Sequence, residues 1–242
     1  MNVKEKNMVN ETLLLDSYGT LLANSNKTIN SNELSIHLKK LIKRFYPIPT
    51  ILFTLGSLLV LLSTMFPYWH MELEAPQYPN GLNVYLYIDN VKGDIFEIDG
   101  LNHYIGMRSL DEAAPFERSI SRYAMVLLFL ISASSVFLRT TRWVILCILP
   151  LLAFPFIFLI DLFYWLRLFG QNLDPGAAFS SSVAPFTPPL IGSKQIANFV
   201  VINELGLGFY IICFAILFFI VGLYYHQKIY KPLIDASKIT FG

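Results

Sequence analysis

The side chains in this sequence best suited to chemistry are His103 and Met107, four residues apart in Leu101-Asn102-His103-Tyr104-Ile105-Gly106-Met107. On a helix that spacing puts both on one face. Imidazole with thioether is a soft donor pair, suited to Cu(I) more than to zinc or magnesium. His70 and Met71 form a second such pair, and the two pairs together predict a copper site of three or four ligands. A second group is Asp161, Arg167 and Glu204, which lie in or beside apolar runs. Ionisable groups there are costly and mark either an internal ion pair or a pathway. The plainer alternatives are packing for Met107, backbone satisfaction for His103, and a structural pair of Arg167 with Asp161 or Glu204. There is no nucleophile elbow, phosphate loop, zinc-protease motif or haem-attachment motif, so an enzyme is not expected.

The elements that must position these residues follow from composition. Hydrophobic residues make up 55% of the 242 and charged residues 14%, with a mean hydropathy of +0.53. Those values are wrong for an ordinary soluble domain. A net charge of +1 leaves no basic footprint for nucleic acid. Cys147 and Cys213 both fall inside apolar runs, so no disulfide is expected. A largely polar stretch of more than forty residues precedes the first apolar run, which argues against a cleavable signal peptide.

The expected fold is an α-helical integral membrane protein. It has four transmembrane helices and a small β-containing extracytoplasmic domain between the first two. Residues 1–47 read as a cytoplasmic tail, with an interfacial helix near Leu34, Ile36, Leu38, Leu41 and Ile42. Spans are expected at 48–66, 123–138, 143–169 and 199–225. They are separated by the outer domain 67–122, a cytoplasmic turn 139–142 and a Pro-rich outer loop 170–198, and a cytoplasmic tail 226–242 follows. Pro150 and Pro155 predict a kinked or tilted third span. Seven Lys and Arg precede the first span, two lie in the 139–142 turn and three in the final tail, against six on the other side. Both termini are therefore expected in the cytoplasm of a bacterial inner membrane.

Within the outer domain, residues 81–88 alternate as a strand does, 89–94 are turn chemistry, and 95–98 are expected to return as a second strand. A hairpin alone is marginal in water, so it should pack on the helix ends and on the second loop.

Four stretches of this region, Ala75-Pro76-Gln77-Tyr78-Pro79-x-Gly81-Leu82, Gly93-Asp94-x-x-Glu97-Ile98, Leu101 to Met107 and Ala114-Pro115-Phe116-Glu117, together with Pro188-Pro189-x-x-Gly192 and Leu207-Gly208-Phe209-Tyr210, carry a resemblance. It resembles a family of bacterial four-span membrane proteins associated with nitrous oxide reductase maturation and copper supply. The resemblance implies an accessory protein of denitrification that handles copper at its periplasmic face. Its partners would be an exported metalloprotein or a copper chaperone, besides the lipid bilayer, and it could work as a homo-oligomer or within a membrane complex. Two rivals stand beside that expectation. One is the membrane subunit of a respiratory redox complex that docks a cytochrome or a quinol head group, since the outer domain holds nine acidic residues between Glu72 and Glu117. The other is a small transporter built on Asp161, Arg167 and Glu204.

Overall fold

The structure, a computed structural model, describes residues 47–138, 140–178, 183–196 and 198–241, with side chains up to Lys228. The expected interfacial helix at 31–42 lies outside the described residues.

The chain runs α1 (Pro47–Ser63), β1 (Trp69–Ala75), β2 (Tyr78–Leu86), β3 (Val91–Gly93), α2 (Ile95–Ile105), a 3-10 turn (Leu110–Glu112), α3 (Pro115–Ser134), α4 (Thr141–Gln171), β4 (Gly192–Ile196), β5 (Phe199–Leu205) and α5 (Leu207–Phe241). The five strands form one antiparallel sheet in the order β3-β2-β1-β5-β4.

This architecture corrects the four-span expectation. Among the described residues only two helices are long and apolar enough to cross a membrane, Thr141–Gln171 and Leu207–Lys228. Helix α1 is apolar but has 17 residues. At 1.5 Å per residue it covers about 25 Å, short of the ~30 Å hydrocarbon core. Helix α3 has 20 residues, but Glu117, Arg118 and Arg122 occupy its first two turns. That leaves only Tyr123–Ser134 uninterrupted by charge.

The expected start of the last span is also displaced. Phe199-Val200-Val201-Ile202-Asn203-Glu204-Leu205 forms β5, pairing with β1 from Trp69↔Leu205 to Glu74↔Val200. Its apolar residues are mostly β-branched, and Asn203 and Glu204 interrupt them, which suits a pleated surface with one wet face better than a helix in lipid. Two glycines then make the turn into α5. Gly206 N–H donates to the Tyr68 carbonyl at 2.9 Å and Gly208 N–H to the Pro67 carbonyl at 2.8 Å. A Cβ on Gly206 would stand 2.2 Å from the Pro67 oxygen, so only glycine allows this approach. Sheet and helices are riveted together here.

The first outer segment differs as well. The strand expected at 81–88 is present as β2, but it pairs with β1 on one side and, on the other, with the short β3 inside the expected turn. Residues 95–98 open a helix instead. Ile98 and Asn102 of α2 are buried, while Leu101 and Ile105 are partly covered, so a three-to-four spacing faces the sheet. The second outer segment follows the first closely. Trp69 Nε1 donates to the Leu190 carbonyl at 2.8 Å, Asn203 Nδ2 to the Pro189 carbonyl at 2.6 Å, and Asp174 N–H to the Gly106 carbonyl at 2.8 Å.

Two apolar cores result. One lies among the helices and includes Phe53, Val60, Tyr68, Met125, Ile148, Ile212 and Phe219. There α1 and α5 meet through Gly56 and Gly222, each facing a phenylalanine ring, and Phe53 stacks on Phe219 at 5.5 Å. Tyr68 is fully buried, and its hydroxyl meets Ser63 Oγ at 2.7 Å. Burial pushes the phenol well above its usual pKa, the Ser63 hydrogen bond acting in the opposite sense. At the end away from the sheet, His226 of α5 joins the Leu138 carbonyl at 3.1 Å and lies 6.2 Å from the Phe53 ring. The second core lies under the sheet and includes Trp69, Met71, Leu73, Leu82, Val84, Ile98, Leu162 and Val201.

Candidate ligand cavity between the sheet and the helices

Strand alternation decides where the first predicted pair goes. Along β1, Trp69, Met71, Leu73 and Ala75 face the helices, whereas His70, Glu72 and Glu74 face away. Met71 is therefore in the core. His70 lies on the outer face, where its ring stacks on Tyr85 at 4.6 Å and its Nε2 meets Asn83 Oδ1 at 2.9 Å. Two neighbours on opposite faces of one strand cannot share a metal ion.

The second pair is separated by a helix end. Helix α2 stops at Ile105, and Gly106 takes a left-handed φ of 81°, with Met107 N–H returning to the Asn102 carbonyl at 2.8 Å. The four-residue helical spacing from His103 thus fails one residue short of Met107. His103 is exposed beside Tyr104, while Met107 lines a cavity under the sheet. The buried polar residue of this motif is Asn102, whose Nδ2 reaches Asp99 Oδ1 at 3.4 Å. Asp99 also accepts from the Ser109 hydroxyl and from Leu110 N–H, which closes the segment on itself. Of the predicted copper donors His103, Met107, His70 and Met71, the two thioethers therefore line one cavity, while both imidazoles lie outside it. No cluster of three or more His, Cys, Asp or Glu suited to a metal occurs among the described residues. The imidazoles and the thioethers are thus separated, unlike the joint His–Met set that the sequence suggested for copper.

Asp161, Arg167 and Glu204 are likewise dispersed. Glu204 sits on the exposed outer face of β5, opposite His70 in register, and not inside a helix. Arg167 is exposed on α4. Asp161 alone faces inward, on the wall of the cavity that holds Met107.

That cavity has a volume of about 520 Å³. Its roof is the apolar face of the sheet, with Met71, Val84 and Val201. Its walls are α2, the first half of α3 and the second half of α4. Most of the lining is apolar because three layers turn their buried faces toward one another without closing the space. The volume lies in the range of about 300–1,000 Å³ typical of small-molecule sites.

The polar lining is concentrated where α3 faces α4. Asp161 and Trp165 stand one helical turn apart on α4, with the Asp161 carboxyl within hydrogen-bonding reach of the Trp165 indole and within electrostatic reach of Glu117. Glu117 Oε2 and Trp165 Nε1 are buried without a well-formed hydrogen bond among the described residues. Arg118 also touches the cavity, but its guanidinium donates to the Asp111 and Ala113 carbonyls at 3.1 and 3.5 Å. The chain enters α3 through Ala114, held at a left-handed φ of 49°, a conformation unfavourable for a residue with a Cβ. Sequence reasoning gave Glu117 no role beyond loop charge and a place in one resemblance motif, and passed over Trp165. The spacing Asp161-x-x-x-Trp165 on a helix was the signal available for the second.

No protein-family model matches this chain, and no curated protein matches it.

Proposed function

We propose that this chain is a non-enzymatic accessory protein of a bacterial cytoplasmic membrane that binds an amphipathic small molecule in the cavity beneath its sheet. The single observation carrying this reading is the apolar volume of about 520 Å³ with its polar groups gathered on one side. It is the arrangement expected of a membrane subunit that docks a molecule of the quinol kind, the first rival raised by the sequence.

The orientation rests on charge. Basic residues Lys39, Lys40, Lys43 and Arg44 precede α1, Arg142 opens α4, and Lys228 ends the apolar stretch Leu207–Lys228 of α5. The contacts of His226 with Leu138 and Phe53 gather these helix ends opposite the sheet. The positive-inside bias then puts that end in the cytoplasm and the sheet outside, with α4 and α5 crossing the membrane.

Saturable displacement of a solvatochromic apolar dye from purified protein in nanodiscs tests the binding reading. Met107→Trp and Leu162→Trp, which place an indole in the cavity, should abolish displaceable binding. A dye that partitions without saturation, or binds the filled variants equally, would overturn the reading.

A further inference from the structure

The polar groups of the cavity specify more than an apolar guest. Two of them, Glu117 Oε2 and Trp165 Nε1, are buried without a well-formed hydrogen bond; a carboxylate oxygen accepts and the indole only donates, with the Asp161 carboxyl as its nearest acceptor. A buried polar group left unmade is costly, about 1–3 kcal/mol, so a ligand that answers both gains beyond its apolar contacts. The two carboxyls of Glu117 and Asp161 face the same space, whereas the one cation among the lining residues, Arg118, is turned to backbone carbonyls. An anionic head brought between these two carboxyls would meet like charge, while the Arg118 guanidinium is held toward the Asp111 and Ala113 carbonyls through Nη1. The way in is lateral. Ile120 of α3 and Ile157 of α4 line the cavity yet are 44% and 61% exposed, so the opening lies between two helix faces that are apolar on the outside.

From this arrangement we propose that the cavity selects a membrane-dissolved amphiphile with an uncharged, hydroxyl-bearing head. The head donates to Glu117 Oε2 and accepts from the Trp165 indole N–H, and Glu117 with Asp161 excludes anionic heads. The inference rests on the binding reading above and adds the head-group chemistry and the route of entry. Alkyl hydroquinones and monoacylglycerols share the required head chemistry, whereas ionised fatty acids lack it.

The test uses the full chain in zwitterionic nanodiscs with Trp143→Phe as background. Trp143 is not among the lining residues, which leaves Trp69 and Trp165 to report from the cavity wall. Tail-brominated monoacylglycerol, alkyl hydroquinone, alkyl sulfonate and alkyl trimethylammonium are titrated, and quenching is read. The first two should quench saturably, their relative affinities separating the two sources of the same chemistry, and the sulfonate should not. Trp165→Phe should weaken the hydroxyl amphiphiles about two- to tenfold, the loss of one hydrogen bond. Glu117→Gln with Asp161→Asn should admit the sulfonate. Sulfonate binding as tight as monoacylglycerol in the parent, tighter binding of the ammonium, or no gain of sulfonate in the double variant would each overturn the head-group inference while leaving the cavity reading intact. Absence of saturable quenching by all four would overturn both.

Discussion

Gly206→Ala is the perturbation that most directly probes how the sheet is held over the helices. The added methyl would lie 2.2 Å from the Pro67 oxygen, 2.7 Å from the Pro67 carbonyl carbon and 3.0 Å from the Tyr68 carbonyl carbon. All three neighbours are backbone, so no side chain can swing aside. Relief requires β5 and the start of α5 to withdraw from the α1–β1 junction by about an ångström. Overpacking of this kind costs about 1–3 kcal/mol, occasionally more. Withdrawal also stretches the Gly206–Tyr68 and Gly208–Pro67 hydrogen bonds, worth about 0.5–1.5 kcal/mol each. A loss of roughly 3 kcal/mol follows from these two principles together. Gly100→Ala is the control, because nothing lies within 4 Å of its added Cβ and the site is inside α2. That change should be neutral or stabilise by up to about 1 kcal/mol. Both variants are compared with the parent by denaturant unfolding in detergent, followed by tryptophan fluorescence. Gly206→Ala within about 0.5 kcal/mol of the parent, the scatter of an ordinary surface change, would refute the riveted junction.

Four further outcomes follow from the same geometry. Ser63→Ala leaves the buried Tyr68 hydroxyl without its partner and should cost about 1–3 kcal/mol. Tyr68→Phe should cost less in the same unfolding assay, because Ser63 still donates to the Val60 carbonyl at 2.6 Å. Met107→Ala should weaken amphiphile binding, whereas His103→Ala, outside the cavity, should leave the titration unchanged. Anaerobic Cu(I) competition should show no joint ligation by His70 and Met71, so His70→Ala and Met71→Ala should not give the same loss of copper. Gly106→Ala forces a side chain to φ 81°, 2.6 Å from the Asp174 oxygen. It should detach the segment after α4, seen as faster proteolysis between Gln171 and Ala178.

The long apolar runs were legible in the sequence because burial in lipid or protein demands local, continuous hydrophobicity. That condition specifies α4 and most of α5 without reference to any other part of the chain. The alternation in 81–88 likewise announced β2. The same logic overreached at Phe199–Leu205, where an apolar run next to a helix was read as its first turns. Pairing with β4 on one side and with β1, some 130 positions earlier, on the other makes that stretch a strand. The chemistry misread for the same reason. Spacings such as His70-Met71 and His103-x-x-x-Met107 acquire meaning only once the pleat and the helix end are fixed, and both proved to send the donors apart. Conversely, Glu117 and Trp165 are unremarkable neighbours in their own segments. Packing α3 against α4 beneath the sheet brings them to one cavity wall. The sequence by itself determined which segments are apolar and which end of the molecule is basic. Tertiary structure decided which side chains share a space, because that depends on contacts between residues distant along the chain.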